Sequence, residues 1–120
     1  MELLPKYWPG FPYSDLYRVY DVFLPMAYFS YRARGIAPVA RYVARSVAII
    51  RGRTGDPDVP IHVIGGISAR TGPAEASGFM QAVHGCRTLG FSLYDFYGTS
   101  GIAWRKLAAP AASDDAPAAC

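Results

Sequence analysis

The chain has 120 residues, of which 52% are hydrophobic, and this composition is typical of one globular domain rather than a disordered chain. Its length is too short for a complete (β/α)₈ barrel, which typically needs about 250 residues. Twelve basic and nine acidic residues give a formal charge of +3, and ten of the basic residues are Arg. Because these arginines do not cluster with base-stacking aromatic residues, we interpret them as a composition bias and expect no nucleic-acid partner.

The sequence predicts no metal, cofactor or membrane span. Cys86 and Cys120 have no metal-ligand spacing and predict no disulfide framework; Cys86 is expected to be a small buried side chain on a helix. His62 and His84 share no ligand spacing either. The first six residues lack the features of a secretory signal, and no apolar run approaches the ~20 residues of a membrane span. We therefore expect this chain to be cytoplasmic. The expectation does not extend to a longer parent protein, which could be secreted.

The predicted elements alternate between strands and helices. In chain order they are a short helix at 14–20, a strand at 22–29, a helix at 38–53, a strand at 61–64, a helix at 73–89, a strand at 91–96 and a helix ending at 107. Pro25 interrupts the first strand, because proline cannot donate to a sheet ladder. Residues 1–107 are expected to form the domain, and residues 108–120, rich in Ala and Pro, a disordered low-complexity tail.

This order of elements predicts an α/β fold with three parallel strands alternating with helices. Successive strands begin about 30–40 residues apart, which leaves room for a helical crossover each time. A sheet of three strands has two open edges, and exposed edges pair with other chains. We therefore expect self-association through the sheet edges.

Three short segments are the most distinctive part of the sequence. They are Asp21–Tyr28 (DVFLPMAY), Ile61–Ile67 (IHVIGGI) and Gly90–Asp95 (GFSLYD). As a set they resemble the last three strands of a glycoside-hydrolase-like TIM barrel of the uncharacterised actinobacterial type, and the resemblance covers about residues 7–107. It implies a partial (β/α)₈ barrel, namely the C-terminal part of a longer barrel that here begins at an internal methionine.

The resemblance also implies where a ligand binds, because TIM-barrel sites lie at the C-terminal ends of the strands. In this chain those ends carry Met26, Tyr28, Gly66, Ser68, Tyr94, Asp95 and Tyr97. An aromatic ring packs against the apolar C–H face of a sugar, and a carboxylate accepts its hydroxyl protons, so the set predicts a carbohydrate cleft. The alternative is that Tyr28 and Tyr94 are core aromatic residues of a barrel.

The acidic residues argue against catalysis by this chain alone. A glycosidase of the usual design needs two carboxylates flanking the scissile bond. Asp95 is the single candidate at the end of a predicted strand, whereas Asp21 precedes a strand and Glu75 lies in the first turn of a helix. We therefore expect an incomplete barrel without glycosidase activity, although a full-length relative would be a glycoside hydrolase.

Two other functions remain open from the sequence. Gly65-Gly66 and the helix start at Ser100-Gly101 are compatible with a small stand-alone α/β module that binds a phosphate-bearing ligand. No Lys-Ser/Thr pair follows the glycines, so they do not form a P-loop. The second alternative is a non-catalytic remnant whose only activity is self-association.

Overall fold

The computed structural model describes residues 8–109 and residue 120 of the chain. The elements in chain order are α1 (Tyr13–Tyr17), α2 (Ile36–Thr54), β1 (His62–Ile67), α3 (Pro73–Gly85), β2 (Gly90–Tyr94) and α4 (Gly101–Leu107). Short 3₁₀ turns occupy Phe29–Tyr31 and Ser68–Arg70. The fold is therefore α/β, as the alternating sequence pattern predicts.

β1 and β2 form a parallel sheet joined through α3. His62 lies beside Gly90 and Ile64 beside Ser92, and the register shifts between Ile64 and Ile67. The parallel direction follows from the crossover helix, because a tight turn cannot connect parallel strands. This part of the sheet has the predicted βαβ connection.

The predicted first strand, 22–29, does not form a continuous ladder. The segment runs parallel to β1 and makes two isolated bridges, Phe23 with Ile61 and Met26 with Ile64. Pro25 lies between the bridges, and its carbonyl accepts the Ile64 N–H at 3.0 Å, but it has no N–H to return to β1. The described residues thus contain two strands rather than the predicted three, and the ladder fails at the proline.

The apolar stripe of α2 is buried as its helical period predicts. Gly55 ends the helix in a left-handed conformation with φ of 76°, and its N–H donates to the Arg51 carbonyl at 2.9 Å. Arg41 and Arg45 face solvent, which agrees with their interpretation as an exposed face. The buried side chains of the stripe are Val39, Val43, Val47 and Ile50.

α2 and α3 cover one face of the sheet and leave the other face open. On the covered face, Val63 is fully buried, and Gly65 lies against the side chains of Phe79 and Leu93. On the open face, Leu24 is 55% exposed and Met26 is 63% exposed. The sheet therefore has one packed side and one side accessible to solvent.

The two cysteines form a disulfide, which corrects the expectation that they would not pair. Cys86 is buried just after α3, as predicted, and is joined to Cys120 with 5.5 Å between their Cα atoms. Cys120 also packs against the hydrophobic core. The predicted tail disorder concerns residues that lie largely outside the described part of the chain, namely 110–119.

No helix among residues 8–109 has the length and apolar character required to cross a bilayer.

Candidate functional site

Two of the predicted ligand-binding tyrosines meet at one end of the sheet. The rings of Tyr28 and Tyr94 have centroids 5.9 Å apart and planes inclined at 60°. The Tyr28 hydroxyl donates to Met26 Sδ at 3.4 Å, so a third predicted residue belongs to the same group. Tyr94 is 55% exposed and Tyr28 is half-buried. We call Met26, Tyr28 and Tyr94 the tyrosine pair site.

The tyrosine pair site exists because parallel segments bring their C-terminal ends together. Met26 bridges to Ile64 of β1, and Ile64 lies beside Ser92 of β2. Residues that are paired across neighbouring strands present their side chains on the same face, and side chains alternate along each strand. Met26 and Tyr94 therefore both lie on the open face, although 68 positions separate them in the sequence.

A second aromatic cluster follows Tyr94 in the chain. The Phe96 ring lies 5.7 Å from the ring of Tyr97 and 5.5 Å from that of Trp104. Tyr97 is almost fully exposed, as expected for a residue after the last strand. The sequence analysis did not include Phe96 or Trp104 among the candidate binding residues. Phe96 directly follows Asp95, and its aromatic side chain could have indicated this cluster.

Asp95 is exposed, and one of its carboxylate oxygens stabilises a turn. Its Oδ1 accepts the Gly98 N–H at 2.7 Å, and its backbone carbonyl accepts the Thr99 hydroxyl at 2.9 Å. Within the described residues, Oδ2 has no hydrogen-bond partner and is able to accept a ligand hydroxyl. Asp95 thus follows Tyr94 in the chain with one carboxylate oxygen committed to the turn.

Two predicted site residues, Ser68 and Gly66, lie beneath the surface. The Ser68 hydroxyl donates to the Asp95 carbonyl and accepts the Asp95 N–H, so it joins the ends of β1 and β2. A Cβ on Gly66 would overlap Ser30 Oγ and the Phe29 ring. The structure therefore gives these two residues packing and hydrogen-bonding roles within the fold instead of a solvent-facing surface.

The carboxylate of Glu75 has a structural role. It accepts the Gly35 N–H at 2.8 Å and the Gly72 N–H at 3.1 Å. The hydrogen bond from Gly35 is the main cause that lowers the pKa of Glu75 below its usual value. Glu75 thus links the start of α3 to the start of α2. Both of its carboxylate oxygens accept backbone N–H groups, so it does not serve as a second catalytic acid.

The geometry does not favour the phosphate-binding alternative. Gly65 is covered by Phe79 and Leu93, and Gly66 by Ser30 and Phe29, so their backbones are packed instead of open. The Ser100 hydroxyl accepts the Ala103 N–H at 3.2 Å and acts as the N-cap of the short helix α4.

Comparison of the chain with family models, with curated proteins and with solved structures found no match. Among the residues that the structure describes, no group of three or more His, Cys, Asp or Glu side chains is arranged to hold a metal ion. The case for a function therefore depends on the chemistry of the tyrosine pair site and its neighbour Asp95.

Proposed function

We propose that this chain binds carbohydrate, without cleaving it, at the tyrosine pair site of an incomplete glycoside-hydrolase-like barrel. The observation that supports this most strongly is the contact of Met26, Tyr28 and Tyr94 on the open face at the C-terminal end of the sheet. Ligands of α/β barrels occupy this end of the strands. The sheet end also carries the hydroxyl and carboxylate groups that a sugar needs.

The chemistry of the site suits a sugar ring. The two tyrosine rings contact each other at 5.9 Å, and the exposed face of Tyr94 offers a surface against which the apolar C–H face of a pyranose can pack. The Tyr94 hydroxyl has no hydrogen-bond partner among residues 8–109 and 120, and Asp95 Oδ2 is also free to accept a hydroxyl proton. Because the site is shallow and open, we expect weak binding, with Kd at the millimolar end, worth about 4 kcal/mol.

The barrel part of the proposal is supported by the order of the parallel segments. Segment 22–29 lies beside β1, and β1 lies beside β2, in the order in which they occur in the chain. α2 and α3 cover one face and the other face remains open. Neighbouring βα units of a (β/α)₈ barrel have this arrangement, with helices outside and the sheet interior within.

The test compares tyrosines at the two ends of the sheet by affinity electrophoresis in gels that contain neutral polysaccharides. Tyr94→Ala is expected to remove the retardation, because it deletes the exposed ring of the site. Tyr20→Ala deletes an equally exposed ring that precedes the first parallel segment, and Arg41→Ala deletes a charge on the solvent face of α2. Both controls should be retarded as the wild type is. Equal losses in all three variants, or no retardation of the wild type in any gel, would refute the proposal.

A further inference from the structure

Within residues 8–109 and 120, the segment 22–26 pairs with β1 on one side and has an outer edge on the other. Pairing with β1 uses the backbone of Phe23, whose N–H donates to Pro60 at 3.0 Å, and of Pro25, whose carbonyl accepts the Ile64 N–H. In an extended segment the N–H and C=O of successive residues point to alternate sides. The backbone groups of the even-numbered residues 22, 24 and 26 therefore point away from β1.

These outward groups are available for pairing. Within residues 8–109 and 120, the backbone groups of Val22 and Leu24 have no hydrogen-bond partner, while the Met26 carbonyl accepts one bond, from Tyr28 N–H at 2.9 Å. The Pro25 carbonyl faces β1, where it accepts the Ile64 N–H, so the N–H that proline lacks would also have faced β1. The proline thus weakens the inner ladder but leaves the donors of the outer edge intact.

The edge also lacks the charges that normally prevent edge-to-edge pairing. Natural edge strands usually carry Lys or another charged residue that blocks a second chain. Residues 22–31 contain no charged side chain. Leu24 and Met26 are both more than half exposed. An uncharged apolar edge with free backbone groups is suited to a partner strand of the same character.

A cavity of about 320 Å³ lies beside this edge. Its lining is mostly apolar and aromatic, so the side chains of a partner strand would have space beside the segment. The residues outside the segment that line it are Phe11, Tyr13, Leu16, Tyr20 and Ile50. Val22, Leu24 and Met26 of the edge also line this cavity.

We propose that a second copy of this chain covers this edge by antiparallel pairing of its own residues 22–26 about a twofold axis at Leu24. In this register Leu24 faces Leu24 and Val22 faces Met26, so the N–H and C=O of Leu24 meet those of its copy and the Val22 carbonyl meets the Met26 N–H. The Met26 carbonyl already accepts the Tyr28 N–H, so the register depends mainly on Leu24 and Val22. In a twofold contact the same segment of both copies lies on each side of the interface. Charged side chains in that segment would therefore lie opposite like charges. The segment 22–26 has no charged side chain, so this repulsion does not arise. This interface adjoins the tyrosine pair site, because Met26 belongs to both.

Sedimentation of the full chain across micromolar concentrations tests the interface. The wild type is expected to show a monomer–dimer equilibrium, and Leu24→Lys to weaken the dimer more than about tenfold, because it buries a charge against its copy. Leu89→Lys makes the same change at a residue that is 66% exposed and lies on the opposite side of Ile61 from the segment 22–26, and it should leave the dimer unchanged. Circular dichroism establishes that both variants are folded.

Cross-linking of a Leu24→Cys variant tests the register. Residues facing each other in a hydrogen-bonded antiparallel pair have Cα atoms about 5.5 Å apart, within the range of a disulfide. Mild oxidation should therefore link two copies through position 24, identified by mass spectrometry, whereas Leu89→Cys should not link. A wild type that stays monomeric, a Leu24→Lys variant that still dimerises, or growth beyond the dimer by pairing with the β2 edge of another copy would each overturn the proposal.

Discussion

Glu75 connects two loops that are distant in the sequence, and its ionisation contributes to the stability of the fold. The carboxylate accepts the N–H groups of Gly35 and Gly72, and the first of these bonds is the main cause of its lowered pKa. A group whose pKa is lower in the folded state stabilises the fold above its unfolded pKa, about 4.3 for Glu. That contribution is lost as the pH falls through the folded value.

Glu75→Gln should therefore lower the free energy of unfolding at neutral pH by about 1 kcal/mol, because one charged acceptor becomes neutral. The wild type should lose this advantage in acid, so the two proteins should converge below the folded pKa of Glu75. Urea denaturation at a series of pH values measures both effects. The matched control is Asp58→Asn, which neutralises an exposed carboxylate. A constant difference between Glu75→Gln and the wild type at all pH values would contradict this assignment.

Sequence reasoning at the residue scale found the tyrosine pair but not what lies beneath it. Tyr28 and Tyr94 were predictable because each follows a short apolar run, and parallel runs end at the same edge. The burial of Ser68 against Asp95 and of Gly66 against Phe29 depends on contacts between segments far apart in the sequence. No local pattern encodes such contacts.

At the scale of the elements, α2 and α3 pack closely because of one glycine. A Cβ on Gly78 would collide with the backbone carbonyl of Ile36 at the start of α2. Backbone atoms cannot move aside as a flexible side chain can, so the helices must separate if this position is enlarged. Gly52, within α2, has open space around it.

The same substitution at these two glycines should therefore have opposite effects. Gly78→Ala is expected to destabilise the fold by about 1–3 kcal/mol through overpacking. Gly52→Ala should stabilise it by about 0.5–1 kcal/mol, because alanine favours a helix over glycine. Thermal and urea denaturation measure both values. Stabilisation by Gly78→Ala would show that α2 and α3 are not in the close contact described.

The sequence predicted the helices better than the strands. Helical periodicity located α2 to within two residues at its start, whereas α3 ends at Gly85, before the predicted 89, since Arg87 has a positive φ of 51°. The strand predicted at 61–64 continues to Ile67, because Gly65 and Gly66 admit neighbouring side chains instead of breaking the strand. The strand predicted at 91–96 ends at Tyr94, where Asp95 begins a turn with Gly98.

At the scale of the whole molecule, a disulfide ties Cys120 to the end of α3. Two cysteines 34 residues apart, without a recognisable framework, gave no sequence signal for this bond. Disulfides persist in oxidising compartments and open in a reducing cytosol. The disulfide therefore favours an oxidising compartment, whereas the sequence led us to expect the reducing cytoplasm.

The asymmetry of the sheet determines what the molecule presents to its surroundings. Helices cover one face, and the open face carries the tyrosine pair site at one end and the uncharged edge of residues 22–26 along its side. A sugar and a second copy would thus use adjoining parts of the same uncovered sheet, which meet at Met26. Binding of one is not expected to require the other.

The most direct test of carbohydrate binding at the tyrosine pair site is an NMR titration of the nitrogen-15-labelled wild type with a panel of neutral oligosaccharides. We expect amide shifts at residues 26–28 and 94–97, saturation at the millimolar end of affinity, and no shift at Arg41 on the exposed face of α2. The signals of the sugar itself should stay intact, because a single carboxylate, Asp95, does not supply the acid pair of a glycosidase. Shifts confined to other regions, no shifts with any sugar, or the appearance of cleavage products would contradict the proposed function.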